Sequence, residues 1–324
     1  MMKILGIGNA LVDVLALLED DSQLKELGLQ RGGMMLIDDA RQTEIGNYLS
    51  RYRTKMSTGG SAGNAVLALA NLGAGPGFIG RVGKDEMGRF FSDNCREHGI
   101  DARLIEADGM TGVANTFIST DGERTFATHL GQAACMSAQD VSKDMLQDYG
   151  LLHIEGYLVQ NHDLIETVAR IAKELGMKIS IDLASYNVVK SDLAFFRHLV
   201  SEYVDIVFAN EEESEAFTQG KAPEDALCEI AGMCEVAVVK IGKRGSMAKC
   251  GAESCRVPGQ TANVVDTTAA GDFFAGGFLY GYAHGWSLQE CLETGTLLAG
   301  NVIQVIGTRL SDEAWEDIRA KVRK

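Results

Sequence analysis

The stretch Asp266-Thr-Thr-Ala-Ala-Gly-Asp272 and the apolar run Phe-Phe-Ala-Gly-Gly-Phe-Leu-Tyr at 273–280 join two carboxylates and a turn of small residues to the start of a helix. Small residues at 269–271 let a ligand approach the backbone closely, and the first amides of a helix have no acceptor within it. Such amides bind anions, phosphate groups in particular. A bound phosphate would repel a neighbouring carboxylate, so Asp272 indicates a proton-accepting role, with an ordinary helix cap as the alternative.

Motifs of glycine, amide and carboxylate residues recur elsewhere in the chain. They are Gly6-Ile-Gly-Asn-Ala-Leu-Val-Asp13, Gly59-Gly-Ser-Ala-Gly-Asn-Ala65, Leu72-Gly73, Gly80-Arg-Val-Gly83, Asp85-x-x-Gly88 and Asn210-Glu-Glu-Glu213. In this order and together with 266–272, they resemble the motifs of the PfkB or ribokinase-like carbohydrate and nucleoside kinases. The resemblance covers nearly the whole chain. Ala269 departs from it by replacing the usual first glycine of the turn, so we expect a negative φ at this residue.

Short apolar runs alternate with helical patterns, which predicts a parallel sheet with covering helices. The predicted strands are 3–7, 77–79, 151–154, 178–181, 206–208 and 236–239, and the predicted helices are 62–72, 87–98, 163–175 and 271–283. The resemblance implies an α/β, ribokinase-like fold, with a mostly parallel central sheet covered by helices on both faces and a small β-sheet lid. We expect a single domain over residues 1–324.

A second set of strand patterns interrupts this alternation. It comprises 33–38, 103–106, 111–119 and 123–128, and the Asp121-Gly122 pair predicts a hairpin turn between the last two. The resemblance implies that the small lid lies here, over the substrate site, and that it is built from segments 11–40 and 101–130. The sequence does not decide whether the protein forms a homodimer through the lid.

The composition argues against several partners. The formal charge of −15 disfavours a general nucleic-acid surface, which needs a basic patch. Hydrophobic residues make up 46% of the 324 residues, enough to bury a large core. No apolar run approaches the roughly 20 residues of a membrane span, and the first residues do not form a signal peptide. We therefore expect a cytoplasmic enzyme with no nucleic-acid or membrane partner.

The resemblance implies ATP-dependent phosphoryl transfer to a primary hydroxyl of a sugar or nucleoside. Asp272 is then the general base, and the backbone amides of Ala269, Ala270, Gly271 and Asp272 form the anion hole. The adenosine-kinase-like branch is slightly favoured by Gly8-Asn-Ala10, Asp121-Gly-Glu-Arg-Thr125, Phe208-Ala-Asn-Glu211 and Gly277-Phe-Leu-Tyr-Gly281. The alternative is a catalytically weak ligand-binding or regulatory protein that keeps the fold, an alternative that only Ala269 supports.

The cofactors implied are ATP and Mg²⁺. The resemblance assigns to them the positions Asn210, Glu213, Lys240, Gly242, Gly245, Ala299 and Asn301. The oxygen ligands of Asn210 and Glu213 suit Mg²⁺ directly or through water, and a helix cap is the alternative for this pair. Lys240 and the two glycines are expected beside the nucleotide phosphates, whereas Ala299 and Asn301 are expected to flank the adenine.

On the substrate side, the carboxylate of Asp13 suits two neighbouring hydroxyl groups, and Gly60 and Asn64 present backbone and amide groups. Asn9 and Asp38 are further candidates. The resemblance also implies a monovalent cation such as K⁺ beside the anion-hole turn, at Asp266, Thr268, Val302, Val305, Gly307 and Ser311. A carboxylate that merely caps the turn is an equal interpretation of Asp266.

Overall fold

The computed structural model describes residues 1–322, which form fourteen β-strands and twelve α-helices. The strands are β1 (Ile4–Ile7), β2 (Leu11–Leu17), β3 (Met34–Leu36), β4 (Thr54–Gly59), β5 (Gly77–Gly83), β6 (Asp101–Ala107), β7 (Gly112–Ile118), β8 (Arg124–His129), β9 (Leu151–Glu155), β10 (Lys178–Asp182), β11 (Ile206–Asn210), β12 (Val236–Lys240), β13 (Ser246–Cys250) and β14 (Glu253–Val257). The helices are α1 (Ser22–Glu26), α2 (Asp39–Leu49), α3 (Ser61–Asn71), α4 (Glu86–Glu97), α5 (His162–Glu174), α6 (Tyr186–Ser191), α7 (Leu193–Glu202), α8 (Glu211–Phe217), α9 (Pro223–Ala231), α10 (Ala270–Ala283), α11 (Leu288–Val302) and α12 (Asp312–Val322).

The larger sheet has nine strands within residues 1–322, in the order β14-β13-β12-β11-β10-β9-β1-β5-β6. The strands from β12 to β6 are parallel, whereas β13 runs antiparallel to both of its neighbours. The predicted mostly parallel α/β sheet is therefore confirmed. Because parallel strands share one direction, their carboxyl ends lie along one edge of the sheet, where open α/β folds bind ligands.

Alternate residues of these strands pack on opposite faces of the sheet, as the pleat requires. Val207 and Val239 belong to the core on the side that α5 and α7 cover. Phe208 and Val238 belong to the core on the other side, beneath α10 and α11. Helices thus cover both faces, as predicted, and each strand of the centre is apolar on both sides.

The smaller sheet has five strands within the described residues, in the order β3-β8-β7-β2-β4. Its β7–β8 hairpin turns at 121–122, as predicted, and β4 joins it from outside the predicted segments. The prediction that all of segment 101–130 belongs to the lid is wrong at its start, because β6 pairs in parallel with β5 at the edge of the larger sheet. The β5–α4–β6 segment is a βαβ unit, whose second strand commonly lies beside its first.

Helix α10 lies very close to two other helices. A Cβ atom placed on Gly276 would lie 2.7 Å from the carbonyl oxygen of Ala65 in α3, and one placed on Gly277 would lie 2.8 Å from that of Thr294 in α11. Any side chain at these positions would push the helices apart, because protein interiors have little free space. The two glycines therefore set the position of α10, and with it the place where its first turn begins.

We expect Gly276→Ala to lower the free energy of unfolding by about 1–3 kcal/mol, because the added methyl group meets backbone atoms. Gly46→Ala is the matched control, since Gly46 lies inside α2 with no atom within 4 Å of its Cβ position. That change should stabilise the protein by about 0.5–1 kcal/mol, because alanine favours a helix. Urea denaturation of both variants measures the two effects, and a stabilising Gly276→Ala would contradict the packing described here.

Candidate active site

Polar side chains gather at the carboxyl edge of the larger sheet. The last residues of four neighbouring strands, β9 to β12, are Glu155, Asp182, Asn210 and Lys240. Asp272 lies in the first turn of α10. Sequence reasoning had placed three of these five residues, namely Asn210, Lys240 and Asp272, in the functional site.

Asp272 is half-buried at this edge and accepts two hydrogen bonds. Its Oδ1 atom accepts from Oγ of Ser61 at 2.8 Å, and its Oδ2 atom accepts from Nδ2 of Asn64 at 2.9 Å. Burial raises the pKa of Asp272 to about 7, and the two hydrogen bonds only partly oppose this effect. A carboxyl group with a pKa near neutrality suits proton transfer at physiological pH. The structure thus joins Asp272 and Asn64, and it adds Ser61, which the sequence reasoning did not select.

The turn before α10 presents backbone amides. In residues 1–322, no protein acceptor receives the amides of Ala269, Gly271 and Asp272, whereas the amide of Ala270 donates to the carbonyl of Thr267 at 3.2 Å. Ala269 has a φ of −100°, the negative value expected for it, so the alanine fits the turn without strain. Three of the four amides expected in the anion hole are therefore available to an anion at the positive end of the helix.

The ammonium group of Lys240 lies next to this turn. A Cβ atom placed on Gly271 would be 3.1 Å from Nζ of Lys240, and Nζ donates to Oδ2 of Asp182 at 2.8 Å. Burial works against the charged form, but the carboxylates of Asp182, Glu213 and Asp272 outweigh it, so the pKa of Lys240 is raised. Lys240 is therefore a fixed positive charge beside the anion-hole turn.

Asp182 is a residue that the sequence reasoning missed. Burial opposes its charge, yet the nearby Lys240 keeps the pKa of Asp182 below its usual value. Its Oδ1 atom also accepts the amide of Ala184 at 3.0 Å, and Ala184 has a φ of 67°, which is uncommon for a residue other than glycine. A carboxylate at the end of a predicted strand was the one signal that could have revealed it.

Asn210 and Glu213 form a reciprocal helix cap at the start of α8. Asn210 donates from its backbone to Oε2 of Glu213 at 2.8 Å and from Nδ2 to Oε1 at 2.7 Å, and it accepts the amide of Glu213 at 2.8 Å. Burial, followed by repulsion from Asp182, raises the pKa of Glu213 to about 7. The contacts of this pair are therefore those of a helix cap, which was the alternative interpretation.

The residues present nevertheless fit Mg²⁺. Residues 1–322 contain no group of three or more His, Cys, Asp or Glu side chains placed to hold a metal ion. Mg²⁺ needs fewer, because it commonly uses one or two carboxylates and completes its shell with water and phosphate oxygens. Glu213 is a buried carboxylate with no salt-bridge partner among the described residues, so a nearby cation would stabilise it, whereas Asp182 is already paired with Lys240. Because both oxygens of Glu213 already accept bonds from Asn210, its contact with the ion would run through water.

The other residues expected at the nucleotide differ in their surroundings. Gly242 has a φ of 57° and no atom within 4 Å of its Cβ position, whereas a Cβ atom on Gly245 would lie 1.9 Å from the carbonyl oxygen of Val257. Gly245 is thus required by the turn between β12 and β13 itself. Asn301 donates to the carbonyl of Leu297 at 2.7 Å within α11, and Ala299 is half-buried in the same helix.

Two substrate residues expected from the sequence, Asp13 and Asn64, lie close to the start of α10 and the loop before it. Asp13 lies on β2 opposite Ser57 of β4. Burial, with a smaller contribution from Asp266, raises the pKa of Asp13 to about 7. Among the described residues, Oγ of Ser57 and Oδ1 of Asn64 are buried without a hydrogen-bond partner. Unpaired buried acceptors are costly, so these atoms indicate a place for ligand hydroxyl groups.

Three other candidates, Asn9, Gly60 and Asp38, have structural roles within the protein. Asn9 donates its amide to Glu155, which also accepts the backbone amide of Ala62 at 3.1 Å. Gly60 has a φ of 85°, and its Cβ position lies 2.1 Å from the carbonyl oxygen of Asn9. Asp38 caps α2 by accepting the amide of Arg41 at 2.9 Å. Glu155, which the sequence reasoning missed, thus connects the β1–β2 turn to the start of α3.

Four of the six residues expected to hold a monovalent cation, Asp266, Thr268, Val302 and Ser311, already use their oxygens in contacts within the protein. Asp266 is buried and forms an ion pair with Nη1 of Arg124 at 2.5 Å; Nη1 also donates to Oγ1 of Thr268. The two carboxylate oxygens further accept the amides of Thr268 and Gly307, each at 2.8 Å. The carbonyl of Val302 accepts the amide of Val305 at 3.2 Å.

The last residue of this set, Ser311, is exposed, and its Oγ atom accepts the amide of Ala314 at 3.2 Å. The two side chains expected to coordinate the ion, those of Asp266 and Thr268, are thus already bound to a guanidinium group.

In the part of the chain that the structure describes, no helix combines the length and apolar composition needed to cross a membrane.

Comparison with known proteins identifies the family and its fold. Residues 34–315 match the model of the family described as pfkB family carbohydrate kinase. The structure of an adenosine kinase from Sinorhizobium meliloti is 35% identical, with a TM-score of 0.87 and 99% of each chain covered. A probable sugar kinase protein from Rhizobium etli is 34% identical, with a TM-score of 0.88, 99% of this chain and 98% of that chain covered.

A sugar kinase of Archaeoglobus fulgidus, named as uncharacterized, is 29% identical over 246 residues, which are 75% of this chain and 97% of the relative. The family match spans most of the chain, from β3 to α12. The matched residues include Asp272, the turn before it and the last residues of strands β9 to β12. The chain therefore belongs to the pfkB family of carbohydrate kinases, and it has the ribokinase-like α/β fold of that family.

Proposed function

We propose that this protein transfers the terminal phosphoryl group of ATP to a primary hydroxyl group of a nucleoside or sugar, with an adenosine-like substrate favoured. The observation that carries the proposal is the juxtaposition at the start of α10. There a carboxyl group with a pKa of about 7 lies beside backbone amides that have no acceptor within the described residues. One group accepts a proton, and the other binds a developing negative charge.

The residues divide the reaction between them. Asp272 accepts the proton of the substrate hydroxyl group. The hydroxyl oxygen then bonds to the γ-phosphorus of ATP as the bond from that phosphorus to the leaving ADP oxygen breaks. The amides of Ala269, Gly271 and Asp272 stabilise charge on the transferred group, and Lys240 adds a fixed positive charge beside Gly271. Mg²⁺, held near Asp182 and Glu213, would neutralise charge on the nucleotide phosphates.

The smaller sheet supports a nucleoside or sugar as the acceptor. Asp13, Ser57 and Asn64 offer oxygen atoms to the hydroxyl groups of a ribose-like ring. On the same face, strand register places Leu15 beside Asp13, and Phe126 and Leu36 on the neighbouring strands β8 and β3. An apolar surface next to a polyol site suits a base attached to the sugar, and the likeness to an adenosine kinase supports the same substrate class.

The same sheet acts as the lid in this proposal. Arg124 of β8 contacts the loop before α10, so the sheet lies beside the reacting groups, and its closure over them would keep water from competing with the acceptor hydroxyl. Met34, Met35 and Leu36 are exposed on β3, which pairs with β8 alone among the described strands. We include a homodimer through this open edge in the proposal, and sedimentation of the purified protein tests it.

A catalytically weak ligand-binding protein is the competing function. The one residue in its favour is Ala269, which stands at a position where the family usually has glycine. Because Ala269 has a φ of −100°, a value open to any residue, the substitution gives no reason to expect slow turnover. The two functions are best separated by measuring turnover directly.

We expect purified protein with ATP and Mg²⁺ to release ADP when adenosine is added, and more slowly or not at all with free ribose or hexoses. The reason is that free sugars leave the apolar face of the smaller sheet uncovered. A coupled assay for ADP over a panel of nucleosides and sugars measures this. Faster turnover with a free sugar would reject the nucleoside preference, and tight binding without turnover of any substrate would favour the competing function.

Asp272→Asn should lower kcat by at least about a hundredfold, because the amide cannot accept the hydroxyl proton. Its shape is retained, so the fold and the affinity for ATP should change little. Asp312→Asn is the matched control, since Asp312 also lies in the first turn of a helix but far along the chain, in α12. Near-normal turnover of Asp272→Asn would remove this residue from the role of base.

Asp272→Asn should also change stability in a pH-dependent way. The pKa of Asp272 is raised in the folded state from 3.8 to about 7, so folding favours its protonated form. The stability that Asp272 contributes in its protonated form is therefore lost as the pH rises from about 4 through 7, and the asparagine variant lacks this one contribution to the pH dependence. We expect the variant to melt above the wild type at pH 8 and the gap to close near pH 4. Asp108→Asn, at a side chain that is 95% exposed, is the control and should show no such gap.

A further inference from the structure

We propose that Arg124 serves as a built-in cation at the anion-hole turn, in the place where the family resemblance implies a monovalent ion, and that the protein therefore needs no such ion. Arg124 would act as a positioning residue, which couples the smaller sheet to the turn that holds the transferred phosphoryl group. The test of this proposal by kcat rests on the function proposed above, whereas its test by melting temperature does not.

The position of Arg124 makes this contact specific. It is the first residue of β8, directly after the hairpin turn at 121–122, and its side chain is 15% exposed. Its guanidinium group reaches out of the smaller sheet to Asp266 at 2.5 Å and to the hydroxyl of Thr268. Asp266 and Thr268 lie in the loop before α10, so one side chain spans the two parts of the site.

Electrostatics favour a cation at this place. The side chain of Asp266 is 3% exposed, and Asp13 lies near enough for its carboxyl group to feel the charge of Asp266. Two buried carboxylates without a counter-charge would be strongly destabilising. The guanidinium supplies the charge and several donors in one planar group, which a spherical ion such as K⁺ does not.

Asp266 in turn holds the backbone of two loops through hydrogen bonds. Its oxygens accept the amide of Thr268, which directly precedes the anion-hole turn, and the amide of Gly307 in the loop after α11. Without Arg124, the side chain of Asp266 would lose a contact that fixes its orientation, so the two amides would be held less rigidly. Removal of Arg124 should therefore loosen the turn at 269–272, although Arg124 need not touch the substrate.

Several oxygens that would coordinate the ion already have partners among the described residues. Thr268 and Asp266 are bound to Arg124, and the carbonyl of Val302 is bound to an amide. A variant that lacks the guanidinium would expose these oxygens again. It should then accept a small cation from solution, which gives the proposal a test by rescue.

The experiment compares the wild type, Arg124→Ala and Arg124→Lys in chloride salts of K⁺, guanidinium and tetramethylammonium at equal, low ionic strength. Melting temperature is one readout, and kcat with the best substrate is the other. Arg31→Ala is the matched control, because Arg31 pairs with Asp21 at 3.0 Å near the same hairpin and both side chains are 42% exposed. Exposed pairs of this kind contribute little.

We expect the wild type and Arg31→Ala to behave alike in the three salts. Arg124→Ala should lose at least about tenfold in kcat in tetramethylammonium, the order expected for a hydrogen bond to a charged group. Its KM values should change little. K⁺ or guanidinium should restore part of its kcat and raise its melting temperature by about 2–4 °C, because ions that bind the folded state stabilise it. Arg124→Lys should lose less than Arg124→Ala.

Activation of the wild type by K⁺ of more than about fivefold would overturn the proposal. Normal kcat in Arg124→Ala would overturn it as well, as would a melting temperature of this variant that is the same in all three salts. If the wild type phosphorylates no substrate, the proposed function fails, and the melting temperatures still decide whether Arg124 occupies a cation site. If Arg124→Ala does not fold, the comparison of Arg124→Lys with the wild type in the same salts decides it.

Discussion

The close packing of α10 against α3 and α11 is the constraint on which the site depends. Gly276 and Gly277 let α10 approach the carbonyl oxygens of both neighbours, so the helix axis has little freedom. Its first turn is consequently held against the carboxyl ends of the parallel strands. Free amides, a carboxylate and the ammonium of Lys240 meet there because separate elements are packed into one position, and not because they are near in sequence.

Buried charges at this edge fall into two groups. Asp182 and Asp266 are each paired with a cation, Lys240 and Arg124 respectively. Asp13 and Asp272 have no such partner, and burial raises the pKa of both to about 7. The paired carboxylates hold loops and cations in place. The unpaired ones are left at a cost in stability, and such groups are typical of sites that bind or transfer protons.

The motifs predicted much of this arrangement because they are local. The turn at 266–272 and the strand ends carry their chemistry in adjacent residues, and the central strands show the apolar runs of a sheet buried on both faces. The strand at β6 was assigned to the lid by mistake. Its sequence predicted a β-strand but not the strand with which it pairs. The pairing with β5 depends on how α4 crosses the sheet.

Partners far apart in the chain could not be predicted for the same reason. Nothing near Arg124 in the sequence points to Asp266, and Asp182 and Glu155 are single carboxylates at the ends of ordinary strands. The sequence by itself determined the α/β class, the family and the residue types that meet a phosphate, because periodicity and short motifs encode them. Only the tertiary structure decided which carboxylates are neutralised and which stay unpaired, because burial and counter-charges arise from the contacts that folding makes.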